Sequence, residues 1–321
     1  MKVEGLTTRT VCAVLVAALV AAAPAFAAPA SVPPAPLRVG ILPDADSLPL
    51  LVADAEGLFV SAGVTVSLLR FNTAVERDAA LQANAIDGAV SDLLAVALAA
   101  QGGFDIRATS LTDGRYGLVA APGTAVTSPA DLAGKSVGIS SNTIIHYAAE
   151  TMLERSGLAA ADIRVLAVPK IQLRMELLLA GKLDAACLPE PLLSVARARG
   201  ARLLVASDDA GLGAGVIVFS GAALEGRRAD IAAFYRAYKR AADRIDTAPD
   251  SYRNFLVDVA RFPAEVRDSF TFVVYKSPRL PSAADLASVL SWMTAKGLLK
   301  RDLESGRLVD GRPLAEASTG W

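Results

Sequence analysis

The sequence predicts an α/β protein made of two related lobes, and two patterns indicate this. Short apolar segments typical of buried strands alternate with helix-like segments of roughly 8–12 residues, which is the pattern of parallel strand–helix units. The pattern also occurs twice, because Val39-Gly40-Ile41 returns 98 residues later as Val137-Gly138-Ile139. We therefore interpret residues 39–102 and 137–200 as two copies of one unit.

Further matches between the copies support this interpretation. They are Glu56-Gly57-Leu58 with Ser156-Gly157-Leu158, Val64-Thr65-Val66 with Ile163-Arg164-Val165, and Ala83–Ala89 with Ala180–Ala186. A single match of this kind is weak in an alanine-rich chain. Matches in the same order, with offsets that stay between 97 and 100 residues, are not expected by chance.

Length and composition leave room for one or two cores, since 53% of the 321 residues are hydrophobic. Part of this hydrophobicity lies at the N-terminus, where basic residues precede an apolar run at 11–20 and small residues end at Ala25-Phe26-Ala27. These features predict a cleaved signal peptide over residues 1–27. Cys12 lies inside the apolar run and not directly after the cleavage site, which argues against a lipid anchor.

The rest of the composition indicates an exported protein. A formal net charge of −1 gives no reason to expect a nucleic-acid partner. Without residues 1–27 only Cys187 remains, so no intramolecular disulfide can form. A chain of this size that is exported without disulfides is typical of a bacterial periplasm. Residues 28–36, with four prolines, predict an extended leader.

The first lobe is predicted to contain residues 37–122 and 211–321. Its elements are, in order, strand Leu37–Leu42, helix Leu48–Leu58, strand Val64–Phe71, helix Val75–Ala83, strand Ile86–Val90, helix Ser91–Ala100, and strands Ile106–Leu111 and Tyr116–Ala121. Pro122-Gly123-Thr124 is predicted to be the crossing into the second lobe.

The second lobe is predicted to contain residues 123–210. Its strands lie near 136–140, 163–168, 183–188 and 202–205, and its helices near 143–155, 170–180 and 190–199. Asp208–Gly215 is polar and glycine-rich, so it predicts the return crossing, after which Val216–Phe219 rejoins the first lobe. The C-terminal helices are predicted at Ala232–Ile245, Ser251–Val259, Pro263–Phe270 and Asp285–Leu299.

Candidate ligand-binding residues follow the strands, because ligands of open parallel sheets bind outside the strands' carboxyl ends. They are Asp44, Asp46, Ser47, Ser91, Asp92, Asp113, Tyr116, Ser140, Ser141, Asn142, Thr143 and Glu190. The run 140–143 offers hydroxyl groups and the free backbone N–H groups of a helix start, although Ser141 or Asn142 could simply cap that helix.

The candidate loops hold five carboxylates against Arg115, which favours a ligand with an amine or several N–H donors. Each carboxylate could instead be an ordinary turn or cap residue. Tyr116 and Tyr147 could stack on a ligand or pack in the core. His146, the only histidine, is interpreted as structural. Without histidine and cysteine partners the sequence predicts no metal site, no nucleophile–base pair and no cofactor.

The order of several phrases resembles a known family. These phrases are the signal peptide, VGILPDADSLPLLVADAEGLF, AIDGAVSDLL, DLAGKSVGIS, LDAACLPEPLL and SWMTAKGLL. In this order they are similar to the substrate-binding proteins of ABC importers, in the NMT1/THI5-like group that binds aliphatic sulfonates, taurine, nitrate or thiamine pyrimidines. The resemblance extends over essentially the whole mature chain.

The resemblance implies a type II periplasmic-binding-protein fold, with two α/β lobes joined by two crossovers and a cleft between them. It implies ligand contacts from Asp44 through Leu48, Ser91-Asp92, 140–143 and Glu190. We expect a monomeric periplasmic receptor that closes by hinge motion near 122–124 and 208–215 and passes a small polar molecule to an ABC permease. Two alternatives remain: a dehydratase-type enzyme on the same fold, or a ligand sensor for a membrane kinase.

Overall fold

The computed structural model describes Met1 and residues 35–210 and 212–321. The predicted signal peptide and residues 28–34 of the predicted leader lie outside the described residues. Residues 35–321 form one compact unit. Within the described part of the chain, no helix combines the length and the apolar character that a membrane crossing requires.

The first sheet has five strands in the order β2-β1-β3-β10-β4. They are β1 (Leu37–Ile41), β2 (Val66–Arg70), β3 (Gly88–Asp92), β4 (Ile106–Leu111) and β10 (Gly215–Ser220). β1 runs parallel to β2 and β3, whereas β10 is antiparallel to β3 and β4. The central strand β3 is buried along its whole length, as expected for an apolar strand covered on both faces.

The second sheet repeats this arrangement in the order β7-β6-β8-β5-β9. Its strands are β5 (Tyr116–Ala120), β6 (Ser136–Ile139), β7 (Arg164–Ala167), β8 (Ala185–Pro189) and β9 (Arg202–Ala206). β6 is parallel to β7 and β8, and β5 is antiparallel to β8 and β9. Each lobe therefore has one antiparallel strand, and that strand is next to a crossover.

The sheet pairing corrects the predicted lobe boundary. The strand predicted at Tyr116–Ala121 was assigned to the first lobe, but β5 pairs with β8 and β9 in the second sheet. The first crossover is therefore Thr112–Arg115, and Pro122-Gly123-Thr124 lies inside lobe 2. An apolar strand can pair in either sheet, so its sequence did not determine its lobe. The return of the chain to lobe 1 through β10 is confirmed.

Helices cover the sheets and extend the C-terminal part of the chain. They are α1 (Leu48–Ala55), α2 (Leu58–Ser61), α3 (Ala74–Gln82), α4 (Leu93–Gln101), α5 (Ile144–Arg155), α6 (Ile171–Leu179), α7 (Leu192–Ala198), α8 (Gly221–Gly226), α9 (Arg228–Thr247), α10 (Arg253–Asp258), α11 (Val266–Ser269), α12 (Ala283–Ala295) and α13 (Arg312–Ser318). The longest, α9, packs against α1 and α13 and buries Phe234 and Tyr235 completely.

The repeat predicted from sequence also appears in the packing. α3 and α6 have the same length and lie 97 residues apart, as do β3 and β8. Gly40 and Gly138 occupy equivalent places in β1 and β6. A Cβ atom would lie 2.7 Å from Ile86 Cδ1 at Gly40 and 2.5 Å from Leu183 Cδ1 at Gly138. In both copies an apolar side chain packs into the space that a Cβ atom would take, so glycine allows this close packing.

Candidate functional site

A cavity lies between the two lobes, outside the carboxyl ends of the central strands. Its volume is about 40 Å³. The predicted residues that line it are Asp44, Asp46, Ser91, Asp92, Tyr116, Ser140 and Thr143. The strand-end rule therefore locates the cavity and selects side chains from both lobes.

The lobes are in contact around this cavity. Ala45 N in lobe 1 donates to the Glu190 carbonyl oxygen in lobe 2 at 2.7 Å. Asp92 Oδ2 in lobe 1 accepts from Ile144 N at the start of α5 at 3.3 Å. These bonds close the cleft, so the structure describes the chain with its lobes closed.

Asp44 stands at the cavity wall as the cap of a short helical turn. Its Oδ1 accepts from Ser47 N at 3.1 Å and from Ser47 Oγ at 2.8 Å. Burial and the neighbouring Asp46 raise the pKa of Asp44 to about 7. Ser47 and Leu48, both predicted as ligand contacts, are buried behind this turn and do not line the cavity.

Asp46 joins lobe 1 to the first crossover. It accepts from Gly114 N at 3.0 Å and from the Tyr116 hydroxyl group at 3.1 Å. A Cβ atom at Gly114 would overlap the Asp46 carboxylate, so only glycine allows this approach. Burial raises the pKa of Asp46, and burial together with the nearby Asp46 charge raises the pKa of Tyr116 well above its usual value.

The start of α5 differs from the prediction. Its N-cap is Thr143, whose side chain accepts from Ile145 N, and neither Ser141 nor Asn142 is the cap. Ile144 N donates to Asp92, and Asn142 N donates to His146 Nδ1 at 3.2 Å. The expectation of free N–H groups is therefore wrong for these positions, because acceptors within the protein satisfy them.

The predicted residues Ser141 and Asn142 do not face the cavity. Both are exposed. Asn142 has a φ of 58°, a left-handed conformation that asparagine adopts more readily than most residues. Its place in the sequence is explained by the turn that leads from β6 into α5.

Two predicted carboxylates are bound by arginines outside the cavity. Glu190 accepts from Ser194 N and Oγ, both at 3.0 Å, and from Arg115 Nη1 at 3.2 Å. Asp113 pairs with Arg279 at 2.7 Å beside a separate open groove. The carboxylate count that favoured an amine ligand was therefore based on a wrong premise, since these two charges are already compensated.

Two buried arginines that sequence reasoning missed line the cavity, one from each lobe. Arg77 on α3 donates through Nη1 to the Val90 carbonyl oxygen at 3.1 Å. Arg174 on α6 donates through Nε to the Cys187 carbonyl oxygen at 2.9 Å. Each arginine thus holds the strand carbonyl thirteen residues later. Their 97-residue spacing, which equals the offset of Ala83–Ala89 and Ala180–Ala186, is the sequence signal that could have identified them.

The side chains that most often act in catalysis lie elsewhere or are unreactive. His146 Nε2 is 3.0 Å from Glu150 Oε1, and its ring lies edge-on to Trp292. Cys187 is fully buried, and burial raises the pKa of its thiol group to about 12. Among the described residues, no group of three or more histidine, cysteine, aspartate or glutamate side chains is placed to hold a metal ion.

Two five-stranded mixed sheets with a closed cavity between them define a periplasmic-binding-protein fold, as predicted. The family model described as NMT1/THI5 like matches residues 44–251, which is more than half of the chain, so the chain belongs to this family. Among curated proteins, no sequence matches it significantly.

Several solved structures share this fold. One is the ligand-binding component of an ABC-type import system from Staphylococcus aureus with zinc bound, at 16% identity and a TM-score of 0.74, covering 88% of this chain and 98% of that one. Another is the alkanesulfonate-binding protein SsuA from Xanthomonas axonopodis pv. citri bound to MOPS, at 19% identity and 0.73, covering 86% and 98%. The periplasmic nitrate-binding protein NrtA from Synechocystis PCC 6803 has 13% identity and 0.74, covering 88% of each chain. At these low sequence identities, the similarity shows a shared fold alone.

Proposed function

We propose that this chain is a periplasmic solute-binding receptor that closes over a small polar molecule and delivers it to an ABC import permease, without chemical turnover. The observation that carries the proposal is the cavity between the lobes, which is lined by buried polar side chains from both of them. A site built from two lobes binds its ligand by hinge closure. We further propose that the chain is exported through its signal peptide and acts as a monomer.

The side chains of the cavity support binding without turnover. Cys187 is buried with a raised pKa, so it is not available as a thiolate nucleophile. His146 lies in a contact with Glu150 and Trp292, and it does not line the cavity. Among the described residues that line the cavity there is no histidine and no cysteine, so a nucleophile–base pair built on either is not found there.

One experiment can test the closure of the lobes and identify the ligand. Val60 on lobe 1 and Leu173 on lobe 2 are exposed, and Cys187 is buried, so a Val60→Cys, Leu173→Cys variant can be labelled selectively for energy transfer. We expect a small molecule to be released from the natively purified, then denatured, protein and identified by mass spectrometry. Adding it back to the ligand-free labelled protein should change the distance between the labels.

Two controls complete this experiment. A variant with both labels on lobe 1 should show no change in the distance between the labels. Cells that lack the gene should take up the identified molecule more slowly. Conversion of the molecule by the purified protein, or binding without any interlobe change, would contradict the receptor function.

A further inference from the structure

Arg174 is a buried cation whose charge has no partner among the described residues. The side chain is completely buried, and Nε and Nη1 donate to the carbonyl oxygens of Cys187 and Val168 at 2.9 and 2.7 Å. Nη2 is buried as well and has no hydrogen-bond partner among the described residues. Among the described residues, no carboxylate oxygen lies within 4.0 Å of this guanidinium group, the distance limit for an ion pair.

This arrangement lowers the stability of the folded protein while the cavity holds no ligand. A buried charge without a counter-charge loses its hydration, and a buried donor without an acceptor loses a hydrogen bond. Burial lowers the pKa of Arg174 to about 10, so the guanidinium group is still charged at neutral pH. A ligand with a negatively charged acceptor would supply both the missing charge and the missing hydrogen bond.

Arg77 brings a second guanidinium group to the same cavity from lobe 1. Its Nε donates to Asp78 Oδ1 at 2.8 Å. Its Nη2 lies 2.7 Å from the same oxygen without hydrogen-bond geometry. The two arginines stand at equivalent positions of the repeat, so closure of the lobes brings related groups to one cavity.

The repulsion between the cavity carboxylates and a bound anion is reduced, because hydrogen bonds inside the protein stabilise two of them, Asp92 also lies 4.0 Å from Arg77, and the third is partly protonated. Asp46 accepts from Gly114 and Tyr116, and Asp92 accepts from Ala95 N and Ile144 N. Asp44 has a pKa of about 7. At neutral pH its carboxyl group is therefore protonated in a large share of molecules, and in that form it can donate a hydrogen bond to an oxyanion.

We propose that the cavity binds a compact ligand through an oxyanion group, which accepts hydrogen bonds from Arg174 of lobe 2 and lies beside Arg77 of lobe 1. This inference rests on the proposed receptor function and specifies the chemistry of its ligand. A carboxylate, a sulfonate or a phosphate would meet the requirement, since each has planar or tetrahedral acceptor oxygens that match a guanidinium group.

Calorimetric titration of the mature protein tests the inference. The anionic probes are sodium salts of malonate, methanesulfonate, inorganic sulfate and inorganic phosphate, and the cationic probes are ammonium and ethanolamine chlorides, all at constant ionic strength. We expect at least one anion to bind and the cations not to bind. Comparison among the anions distinguishes the three oxyanion types.

Variants then connect the binding to the arginine. Arg174→Lys keeps the positive charge but loses the planar group, and Arg174→Gln removes the charge. The matched control is Arg253→Lys, because Arg253 also donates to backbone carbonyl oxygens but does not line the cavity. We expect anion affinity to fall at least about tenfold in Arg174→Lys, further in Arg174→Gln, and less than about twofold in the control. Urea denaturation of each variant identifies those that fail to fold.

The outcomes separate this inference from the receptor function. Equal anion affinity in folded Arg174→Lys and wild type would overturn the role of Arg174. Binding of cations alone, no binding by either class of probe, or a natural ligand without an oxyanion group would overturn the ligand class. A ligand without an oxyanion that still closes the lobes would leave the receptor function intact, whereas turnover would contradict the receptor function itself.

Discussion

Lobe 1 and lobe 2 each present an arginine to the cavity from equivalent helices, but within the described part of the chain only the arginine of lobe 1 pairs with a carboxylate. Asp78 pairs with Arg77 in lobe 1, and the equivalent position in lobe 2, 97 residues later, is Met175. Asp92, 4.0 Å from Arg77, is replaced in the same way by Pro189. Both copies keep the bond from arginine to strand carbonyl.

One part of the repeat is structural in both lobes, and another part is left for a ligand in lobe 2. The shared bond ties α3 to β3 and α6 to β8, so it fixes each helix on its sheet. Charge compensation is present in one copy only. The uncompensated guanidinium of lobe 2 is therefore the group that a ligand can stabilise most.

The largest effect on anion binding is expected when lobe 2 receives the carboxylate of lobe 1. Met175→Asp places an acid next to Arg174, as Asp78 is next to Arg77. We expect the affinity for the best anionic probe to fall by about a hundredfold, because the internal carboxylate competes for the guanidinium group. Met175→Asn is the control, since it loses the same packing without adding charge. Calorimetry measures both variants, and equal affinities would refute competition by charge.

A pH titration sharpens the comparison through the Asp44 carboxyl group. Asp46, Arg77, Tyr116 and Tyr275 face it. The pKa of Asp44 is raised to about 7, so its favourable contribution to folding is present below the unfolded pKa and is lost as the pH rises towards 7. A bound anion would raise this pKa further, so binding takes up protons.

We therefore expect anion affinity to increase as the pH falls from about 8 to about 6, by at most about tenfold per pH unit, because one proton is involved. Asp44→Asn should make the affinity nearly independent of pH over this range. A cationic ligand would show the opposite slope. Calorimetry in buffers of different ionisation enthalpy measures the proton uptake directly.

Making lobe 1 resemble lobe 2 should have a smaller and opposite effect. Asp78→Asn keeps an oxygen that can accept from Arg77 Nε but removes the negative charge. We expect anion affinity to rise about fivefold, since Arg77 then has less compensation. Asp243→Asn, which removes an exposed partner of Lys239, controls for the change in net charge. An unchanged affinity in Asp78→Asn would limit anion binding to lobe 2.

The helices that follow the equivalent strands β1 and β6 also differ by a carboxylate, but here lobe 2 carries it. Val52 on α1 is buried in apolar packing, and 98 residues later α5 carries Glu150. Glu150 accepts from Nε1 of Trp292 on α12 at 2.9 Å and from Nζ of Lys296, the residue directly after α12, at 2.6 Å. α12 itself packs against α4. Burial opposes ionisation of Glu150, but hydrogen bonds from His146 and Lys296 outweigh it and lower its pKa.

Glu150→Gln should therefore loosen the contact between α5 and α12. The contribution of the charged form is present above the unfolded pKa and is lost as the pH falls through the lowered folded pKa. At pH 7 we expect stability to fall by about 1–2 kcal/mol and anion affinity by about threefold. Urea unfolding followed by tryptophan fluorescence measures the first effect. Glu225→Gln, at the exposed Arg312 pair, should change neither quantity.

Much of the fold could be predicted because its signals are local. Alternating strands and helices, the repeat, and the return through β10 depend on apolar periodicity and turns. The lobe of β5 could not be predicted, because its buried apolar sequence fits either sheet and only its pairing with β8 and β9 decides. α13, near the C-terminus, was also missed.

The candidate site was predicted in part for a similar reason. Strand ends locate loops, so Asp44, Asp92 and Thr143 were found. Whether a carboxylate faces the ligand depends on its partner far along the chain, and sequence did not show that Asp113 pairs with Arg279. Arg77 and Arg174 lie inside helices. The strand-end rule selects only the loops that follow strands, so it did not select these two residues.

Gly114 gives the first crossover a second role. Its N–H group is bound to a cavity carboxylate, so rotation about this four-residue connection changes the Asp46 environment directly. A methyl group at position 114, as in Gly114→Ala, would overlap the Asp46 carboxylate, so either that carboxylate or the crossover would have to move. We therefore expect Gly114→Ala to change ligand affinity, measured by calorimetry, although residue 114 itself does not line the cavity.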